Sequence, residues 1–175
     1  RQTMSKGNIL IIDDDTSQLE LLRIFLSRKG YTVHCVPTAT EGLEAGSRLK
    51  PDLVILDIRL PDMDGIEVLQ HLKKKNKAVN IIMITAYHDM ETTVKAMRFG
   101  AYDYITKPID VEELQRAVVR AFAFAKASGI DEQSQSESRL QKGSLIGASK
   151  SMQEIFKAIG VLCQNNVTVL IEGET

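Results

Sequence analysis

The sequence predicts an α/β fold in which a parallel sheet is covered by helices on both faces. Strand-like and helix-like segments alternate five times between Asn8 and about Ala127. The strand-like segments are short apolar runs, typical of strands that are buried on both faces. Three of these runs end in charge: Ile9–Ile12 before Asp13, Leu53–Leu56 before Asp57, and Tyr104–Thr106 before Lys107. In open parallel sheets, function collects at the carboxyl ends of the strands, so we expect a site there.

The elements follow one another in a regular order. The predicted strands are Asn8–Asp13, Tyr31–Val36, Asp52–Asp57, Asn80–Thr85 and Tyr102–Ile105. The predicted helices are Ser17–Lys29, Thr38–Leu49, Gly65–Lys75, Asp89–Phe99 and Val111–Ala127. Gly30 ends the first helix, and Asp110 is a good N-cap for the last. Because crossovers between parallel strands are right-handed, five strands predict a doubly wound sheet of flavodoxin-like order 2-1-3-4-5.

A second unit is expected after the sheet. The stretch Ser128–Ser138 is polar and nearly free of apolar residues, as in a flexible linker. Ser151–Cys163 carries apolar residues at helical spacing, and Val167–Ile171 has the pattern of a buried strand. One helix and one strand bury no core of their own. We therefore expect a first domain over 1–127, a linker over 128–144, and the opening fragment of a second α/β domain over 145–175.

Composition narrows the classes of function. The chain of 175 residues has 43% hydrophobic and 26% charged residues, as in ordinary soluble domains. A net charge of −1 argues against a nucleic-acid-binding surface in this stretch. No apolar run approaches the roughly 20 residues that cross a bilayer, so no membrane association is expected. Cys35 and Cys163 lie in apolar patterns without a disulfide framework, which favours the reducing cytoplasm.

Three carboxylates and one ammonium form the strongest candidate site. Asp13, Asp14 and Asp57 would repel one another unless a cation lies between them, and their oxygens suit Mg²⁺. A carboxylate can also accept a phosphoryl group as a nucleophile. Lys107 can neutralise the phosphoryl oxygens, and Thr85 can donate a hydrogen bond to one of them. The alternative is that such acids only cap the following helices, which is the role expected of Asp15. The sequence leaves open whether the Lys107-Pro108 bond is cis.

These residues resemble a known family. From Asn8 to Ala127 the chain resembles the receiver domain of two-component response regulators, through Asp13-Asp14, Asp57 with Pro61 and Gly65, Thr85-Ala86, Tyr104 and Lys107-Pro108. The resemblance implies that Asp57 accepts phosphate from a sensor histidine kinase. It implies that Asp13, Asp14 and Asp57, with the backbone carbonyl of Arg59, hold Mg²⁺. It also implies that Thr85 and Tyr104 shift when the phosphoryl group arrives.

The end of the chain resembles a more specific group. Leu145–Ser149, Met152 and the stretch up to Thr175 look like the opening of the AAA+ ATPase domain of NtrC-type activators. Gly173 would be the first glycine of a phosphate loop. The resemblance implies a longer protein that binds ATP, DNA, and RNA polymerase carrying sigma-N. The 175 residues end before any phosphate-loop lysine, so they are expected to form a signalling module without ATPase activity.

Two other functions are compatible with the sequence. One is a hydrolase of related fold that forms an aspartyl-phosphate on Asp57 and turns over a small substrate. It would need a general acid or base and a cap, whereas Arg59 stands two residues after Asp57 and no inserted cap segment is present. The other is the receiver of a hybrid histidine kinase, which does not explain the segment after residue 144. The leading hypothesis is therefore a phosphorylation-gated switch.

A homodimer is also predicted, through the last helix of the first domain. Apolar residues recur there at alternating steps of three and four, as in a coiled-coil seam. The predicted seam comprises Val111, Leu114, Val118, Ala121 and Ala125. Val119, Phe122 and Phe124 lie outside it, so the helix has more apolar surface than one sheet face covers.

Overall fold

The computed structural model describes residues 5–86, 90–127 and 150–162. Its strands are β1 Asn8–Ile12, β2 Thr32–Val36, β3 Leu53–Asp57, β4 Asn80–Thr85 and β5 Asp103–Thr106. Its helices are α1 Thr16–Arg28, α2 Ala39–Leu49, α3 Gly65–Lys75, α4 Met90–Arg98, α5 Val111–Ala127 and α6 Lys150–Leu162. In the described part of the chain, no helix is long and apolar enough to span a bilayer.

The five strands form one parallel sheet in the order β2-β1-β3-β4-β5. This confirms the predicted order. β3 lies at the centre of the sheet and is buried along its whole length, as its uninterrupted apolar run requires. Asp57, the last residue of β3, is therefore positioned by the central, fully buried strand of the sheet.

Helices cover both faces of the sheet and create two cores. On one face, α2, α3 and α4 pack over residues that include Leu10, Leu56 and Met83. On the other face, α1 and α5 pack over Ile11, Ile55 and their neighbours. Alternate residues of each strand thus serve opposite cores.

The predicted boundaries of the described elements are correct to within one residue, and side-chain caps mark the starts of α1 and α5. Asp15 is the N-cap of α1, where its carboxylate accepts the N–H groups of Ser17 and Gln18. This is the capping role that its position predicts. Asp110 caps α5 in the same way through the N–H groups of Glu112 and Glu113. β1 ends at Ile12 and α1 begins at Thr16, so Asp13 belongs to the connecting loop.

Three of the five residues of the predicted dimer seam on α5 do not face outward. Leu114, Val118 and Ala121 are fully buried in the core beneath α1 and α5. The large apolar side chains that α5 exposes are Val119 and Phe124, at 52% and 54% of their surface. The helix does carry two apolar stripes, but the regular one faces its own sheet. The homodimer itself stays a prediction.

Only part of the predicted second unit is described. The linker over 128–144, the strand Val167–Ile171 and Cys163 lie outside the described residues. The predicted helix Ser151–Cys163 is confirmed as α6, with bounds shifted by one residue. α6 packs against α4.

Candidate functional site

The sheet places the predicted acids at its carboxyl edge. Asp13 follows β1, Asp57 ends β3 and Lys107 follows β5. Because β1 and β3 are neighbours in register, Ile12 lies opposite Leu56, and the next residues of the two strands are Asp13 and Asp57. One carboxylate oxygen from each of Asp13, Asp14 and Asp57 lies within 4.8 Å of the others. The three acids that the sequence singles out therefore form one cluster.

Lys107 reaches this cluster from β5. Its ammonium lies 2.5 Å from Oδ2 of Asp57 and 3.1 Å from Oδ2 of Asp13. The backbone N–H of Lys107 donates to the carbonyl of Thr85 at 2.7 Å, and the Lys107-Pro108 bond is cis. The side chain of Lys107 bridges two buried acids.

Burial and charge compete within the cluster. Desolvation is the main reason that the pKa of Asp13 lies above its usual value, and the charge of Asp57 adds to the rise. Hydrogen bonds from Asp15 and Lys107 oppose it. Desolvation alone would lower the pKa of Lys107, but its bonds and charge interactions with Asp57 and Asp13 raise it. The lysine therefore stays charged, but its single positive charge does not balance three carboxylates.

The excess of negative charge fits a divalent cation. When ionised, the three carboxylates carry three negative charges and Lys107 returns one positive charge, which leaves two in excess. Mg²⁺ binds oxygen at about 2.1 Å, so ligands on its opposite sides lie about 4.2 Å apart. The spacing of the Asp13, Asp14 and Asp57 oxygens is compatible with that geometry.

The loop from β3 to α3 forms one wall of the site. Oδ1 of Asp57 accepts the N–H of Arg59 at 3.0 Å. Arg59 and Asp64 then form an antiparallel bridge, and the N–H of Gly65 donates to the carbonyl of Ile58 at 2.7 Å. The loop is thus closed upon itself, and it keeps the backbone of Arg59 beside Asp57.

Thr85 and Tyr104 are buried residues of the two strands β4 and β5 that end at the site. Thr85 ends β4 and is fully buried, next to Thr106 in the sheet register. Tyr104 is buried in the core beneath α2, α3 and α4. The opening above the acids, about 210 Å³, is lined by Asp14, Asp57, Arg59, Ala86 and Lys107. Both Thr85 and Tyr104 belong to elements that end at the site, but neither side chain lines it.

Two side chains that support the site, Gln18 and Asp62, were not predicted from the sequence. The side-chain amide of Gln18 on α1 donates to Oδ2 of Asp13. The carboxylate of Asp62, at the tip of the β3–α3 loop, accepts the N–H groups of Ala39 and Thr40 at 2.9 Å each, and the hydroxyl of Thr40. Asp62 therefore ties the loop that carries Arg59 to the start of α2. These bonds lower its pKa to about 2.

Replacing Asp62 with alanine is expected to destabilise the fold in a pH-dependent way. The folded pKa of about 2 lies below the ordinary 3.8, so the contribution is complete above about pH 4 and disappears as the pH falls toward 2. Urea midpoints of wild type and Asp62→Ala should differ most near neutral pH and converge in acid. Glu44→Ala, an exposed acid on α2, is the control. A constant difference at every pH would contradict the role of the ionised carboxylate.

Comparisons with known proteins agree with this geometry. The profile described as "Response regulator receiver domain" matches residues 9–119, which is more than half of the chain. The DNA-binding transcriptional regulator NtrC of Proteus hauseri is 34% identical over 173 residues, covering 98% of this chain and 36% of NtrC. The transcriptional regulatory protein ZraR of Salmonella typhimurium is 34% identical over 170 residues, covering 97% of this chain and 38% of ZraR.

Solved structures of receiver-domain proteins have the same fold as this chain. A CheY-like receiver domain protein from Methanospirillum hungatei superposes with a TM-score of 0.69 at 34% identity, covering 71% of this chain and all of that protein. NtrX from Brucella abortus gives a TM-score of 0.67 at 33% identity, over 71% of this chain and 28% of NtrX. The chain spans less than two-fifths of the length of NtrC and ZraR.

Proposed function

The chain belongs to the response regulator receiver family, and on that premise we propose that Asp57 accepts a phosphoryl group from a sensor histidine kinase. The family carries out phosphorylation-gated two-component signalling. The observation that supports Asp57 most directly is its position at the end of the central strand, in contact with Lys107 and within the acid cluster. Both of its oxygens are oriented, Oδ1 by the N–H of Arg59 and Oδ2 by Lys107.

The transfer is written as one balanced step. A carboxylate oxygen of Asp57 attacks the phosphorus of a phosphohistidine, a P–O bond forms, and the P–N bond breaks. The departing imidazole keeps the electron pair and takes a proton from solvent. Lys107 exchanges its bond to Asp57 for one to a phosphoryl oxygen, which lies within reach because the two side chains already touch.

Asp13, Asp14 and Asp57, with the backbone carbonyl of Arg59, would hold Mg²⁺. When bound, the cation neutralises charge on the acids and on the incoming phosphoryl oxygens. The chain itself supplies three separate functions. The acids bind the cation, Gln18 and Lys107 orient Asp13, and the closed β3–α3 loop presents the carbonyl of Arg59.

Thr85 and Tyr104 are proposed to transmit the structural change that phosphorylation of Asp57 causes. Thr85 lies at the end of β4, beside the opening, and Tyr104 lies one strand further on, opposite Met83. A hydroxyl that moves toward the phosphoryl group vacates space in a packed core, which a buried aromatic ring is able to fill. Movement of the Tyr104 ring would alter the surface formed by α4 and β5.

We further propose that the full protein is an NtrC-type transcriptional regulator. The identity to NtrC and ZraR extends over nearly the whole chain, including the segment after residue 144. Under this proposal that segment opens an ATPase domain that binds ATP and acts on RNA polymerase with sigma-N, and further residues bind DNA. The gene sequence beyond Thr175 tests it, through a phosphate-loop lysine and a helix-turn-helix. If both were lacking, the NtrC-type assignment would be rejected, but the proposed role of Asp57 would not be affected.

Removal of Mg²⁺ is expected to stop phosphorylation. With acetyl phosphate and Mg²⁺, the protein should gain the mass of one phosphoryl group, and a chelator should prevent the gain. The double variant Asp13→Ala/Asp14→Ala should bind Mg²⁺ much more weakly than wild type. Loss of a residue that only hydrogen-bonds to a metal ligand costs about 10- to 100-fold in affinity, and we expect a larger loss here because the ligands themselves are removed.

The control for the acid cluster is Asp15→Ala, which removes a neighbouring carboxylate that only caps α1. Titration calorimetry gives the Mg²⁺ affinity, and urea unfolding shows whether each variant is folded. Unaltered Mg²⁺ affinity in the folded double variant would refute the assignment. Sustained turnover of acetyl phosphate, in place of one retained group, would instead indicate a hydrolase.

A further inference from the structure

The surface of the receiver formed by α4 and β5 is covered by a helix of the same chain. α6 comprises Lys150–Leu162 and lies beyond the predicted linker, yet it packs on α4. Gly160 marks the point of closest approach. A Cβ at Gly160 would lie 2.3 Å from the Cβ of Met97 and 3.3 Å from the carbonyl oxygen of Val94. The contact therefore requires glycine at this position of α6.

An ion pair fixes the orientation of the docked helix. The ammonium of Lys157 lies 2.8 Å from Oδ1 of Asp103, with 13% and 11% of the two side chains exposed. Oδ2 of the same carboxylate pairs with Arg120 on α5 at 3.0 Å. Lys157 also lies 3.3 Å from Glu154, one turn earlier on α6. A lysine this covered needs a partner, and Asp103 on β5 provides one.

Asp103 connects the docked helix to the proposed switch. Its Oδ1 accepts the backbone N–H of the next residue, Tyr104, at 2.8 Å, and it is the same oxygen that pairs with Lys157. A shift of β5 at Tyr104 would therefore change the acceptor on which Lys157 depends. This link rests on the proposed function of Asp57 and Tyr104, whereas the docking of α6 does not.

We propose that α6 is an intramolecular ligand of the surface formed by α4 and β5. It is held by Gly160 against Met97 and by Lys157 paired with Asp103, so another protein reaches this surface only after α6 leaves. The cavity that remains beside α6, about 580 Å³, is lined by α5 residues Glu113, Arg116 and Arg120 and opens next to the ion pair. Lys157 and Asp103 themselves also line this cavity.

Amide hydrogen exchange on the 175-residue chain tests the docking. We expect α6 amides to be protected in wild type, and Gly160→Ala to exchange about tenfold faster or more, as expected when a docked segment opens freely. Alanine is the better helix former, so an undocked α6 would instead gain protection from this change. Equal or slower exchange in Gly160→Ala would overturn the proposal.

Charge variants test the ion pair separately. Lys157→Glu should release α6, and Lys157→Arg should retain most of its protection. Lys74→Glu, which makes the same charge change on an exposed lysine of α3, should have no effect on α6. If Lys74→Glu released α6, or if Lys157→Glu did not, the proposal that the Lys157–Asp103 ion pair holds α6 would be refuted. Protection of wild-type α6 that falls on dilution would show that the helix docks on a second copy and would overturn the intramolecular assignment.

Phosphorylation tests the link to the switch. With acetyl phosphate and Mg²⁺, α6 of the phosphorylated chain should exchange faster, while Asp57→Asn should show no change. A chain that gains the phosphoryl mass without any change in α6 would refute the link and leave the docking intact. Failure to gain that mass would contradict the proposed function, whereas the variants of Gly160 and Lys157 would still test the docking.

Discussion

Asp57→Asn is expected to abolish the gain of a phosphoryl group from acetyl phosphate. The amide has nearly the shape of the carboxylate, but its oxygen carries no full charge and its nitrogen lone pair is delocalised, so neither atom is a competent nucleophile. No other acid in the described cluster occupies the end of a central strand between Lys107 and the N–H of Arg59. Intact mass should show one added group in wild type and none in the variant.

The same substitution should leave the fold intact. The charge of Asp57 is one of the causes that raise the pKa of Asp13, so its removal should bring that pKa down. Asp13 then remains as the partner of Lys107. A urea midpoint close to that of wild type would show that the loss of phosphorylation is chemical and not due to unfolding.

Asp52→Asn is the matched control. Asp52 lies at the opposite end of β3, where its carboxylate accepts the N–H of Asn8 at 2.7 Å. It is an acid beside the same strand with no access to the site, and its variant should still gain one phosphoryl group. Equal phosphorylation of Asp57→Asn and wild type would contradict the assignment, and mapping of the modified peptide would identify the true acceptor.

The members of the site were predictable because strand direction is visible in the sequence. Apolar runs mark the strands, and a parallel sheet brings the residues after each run to one edge. Asp13, Asp57 and Lys107 follow from those two facts alone. Their contacts in the structure agree with the prediction.

Contacts between residues of different elements were not predictable in the same way. Asp62 binds the start of α2, 22 and 23 residues earlier, and no periodic pattern links the two segments. Periodicity also failed on α5, since it shows that two apolar stripes exist but not which one the sheet covers. Asp103 illustrates a third limit, because its ion pair depends on Lys157 of α6, a helix more than 40 residues later in the chain.

Gly65→Ala is expected to damage both the fold and the site. A Cβ at Gly65 would lie 2.3 Å from the carbonyl oxygen of Asp57 and 2.6 Å from the Cα of Ile58. Both are backbone atoms of the central strand and its loop, so no rotamer change relieves the clash. Overpacking of this kind costs typically about 1–3 kcal/mol, and we expect a loss of stability near the upper end.

The functional effect of Gly65→Ala follows from the same clash. To admit the methyl group, the β3–α3 loop must move away from β3, which breaks the 2.7 Å bond from Gly65 N–H to Ile58. The loop carries Arg59, whose N–H orients Asp57. Phosphorylation by acetyl phosphate should therefore slow at saturating Mg²⁺, even under conditions where the variant is fully folded.

Gly46→Ala provides the matched comparison. Its Cβ would lie 2.8 Å from Cδ2 of Leu72, the mobile end of a side chain that can rotate away. It lies inside α2, where alanine is favoured over glycine by about 1 kcal/mol, so we expect little change or a small gain in stability. Urea unfolding and the rate of mass gain should separate the two variants. If Gly65→Ala matched Gly46→Ala in both measurements, the close packing of Gly65 on Asp57 would not be what holds the acceptor in place. The glycine would then serve only to start α3, which is all that its position after Asp64 indicates in the sequence.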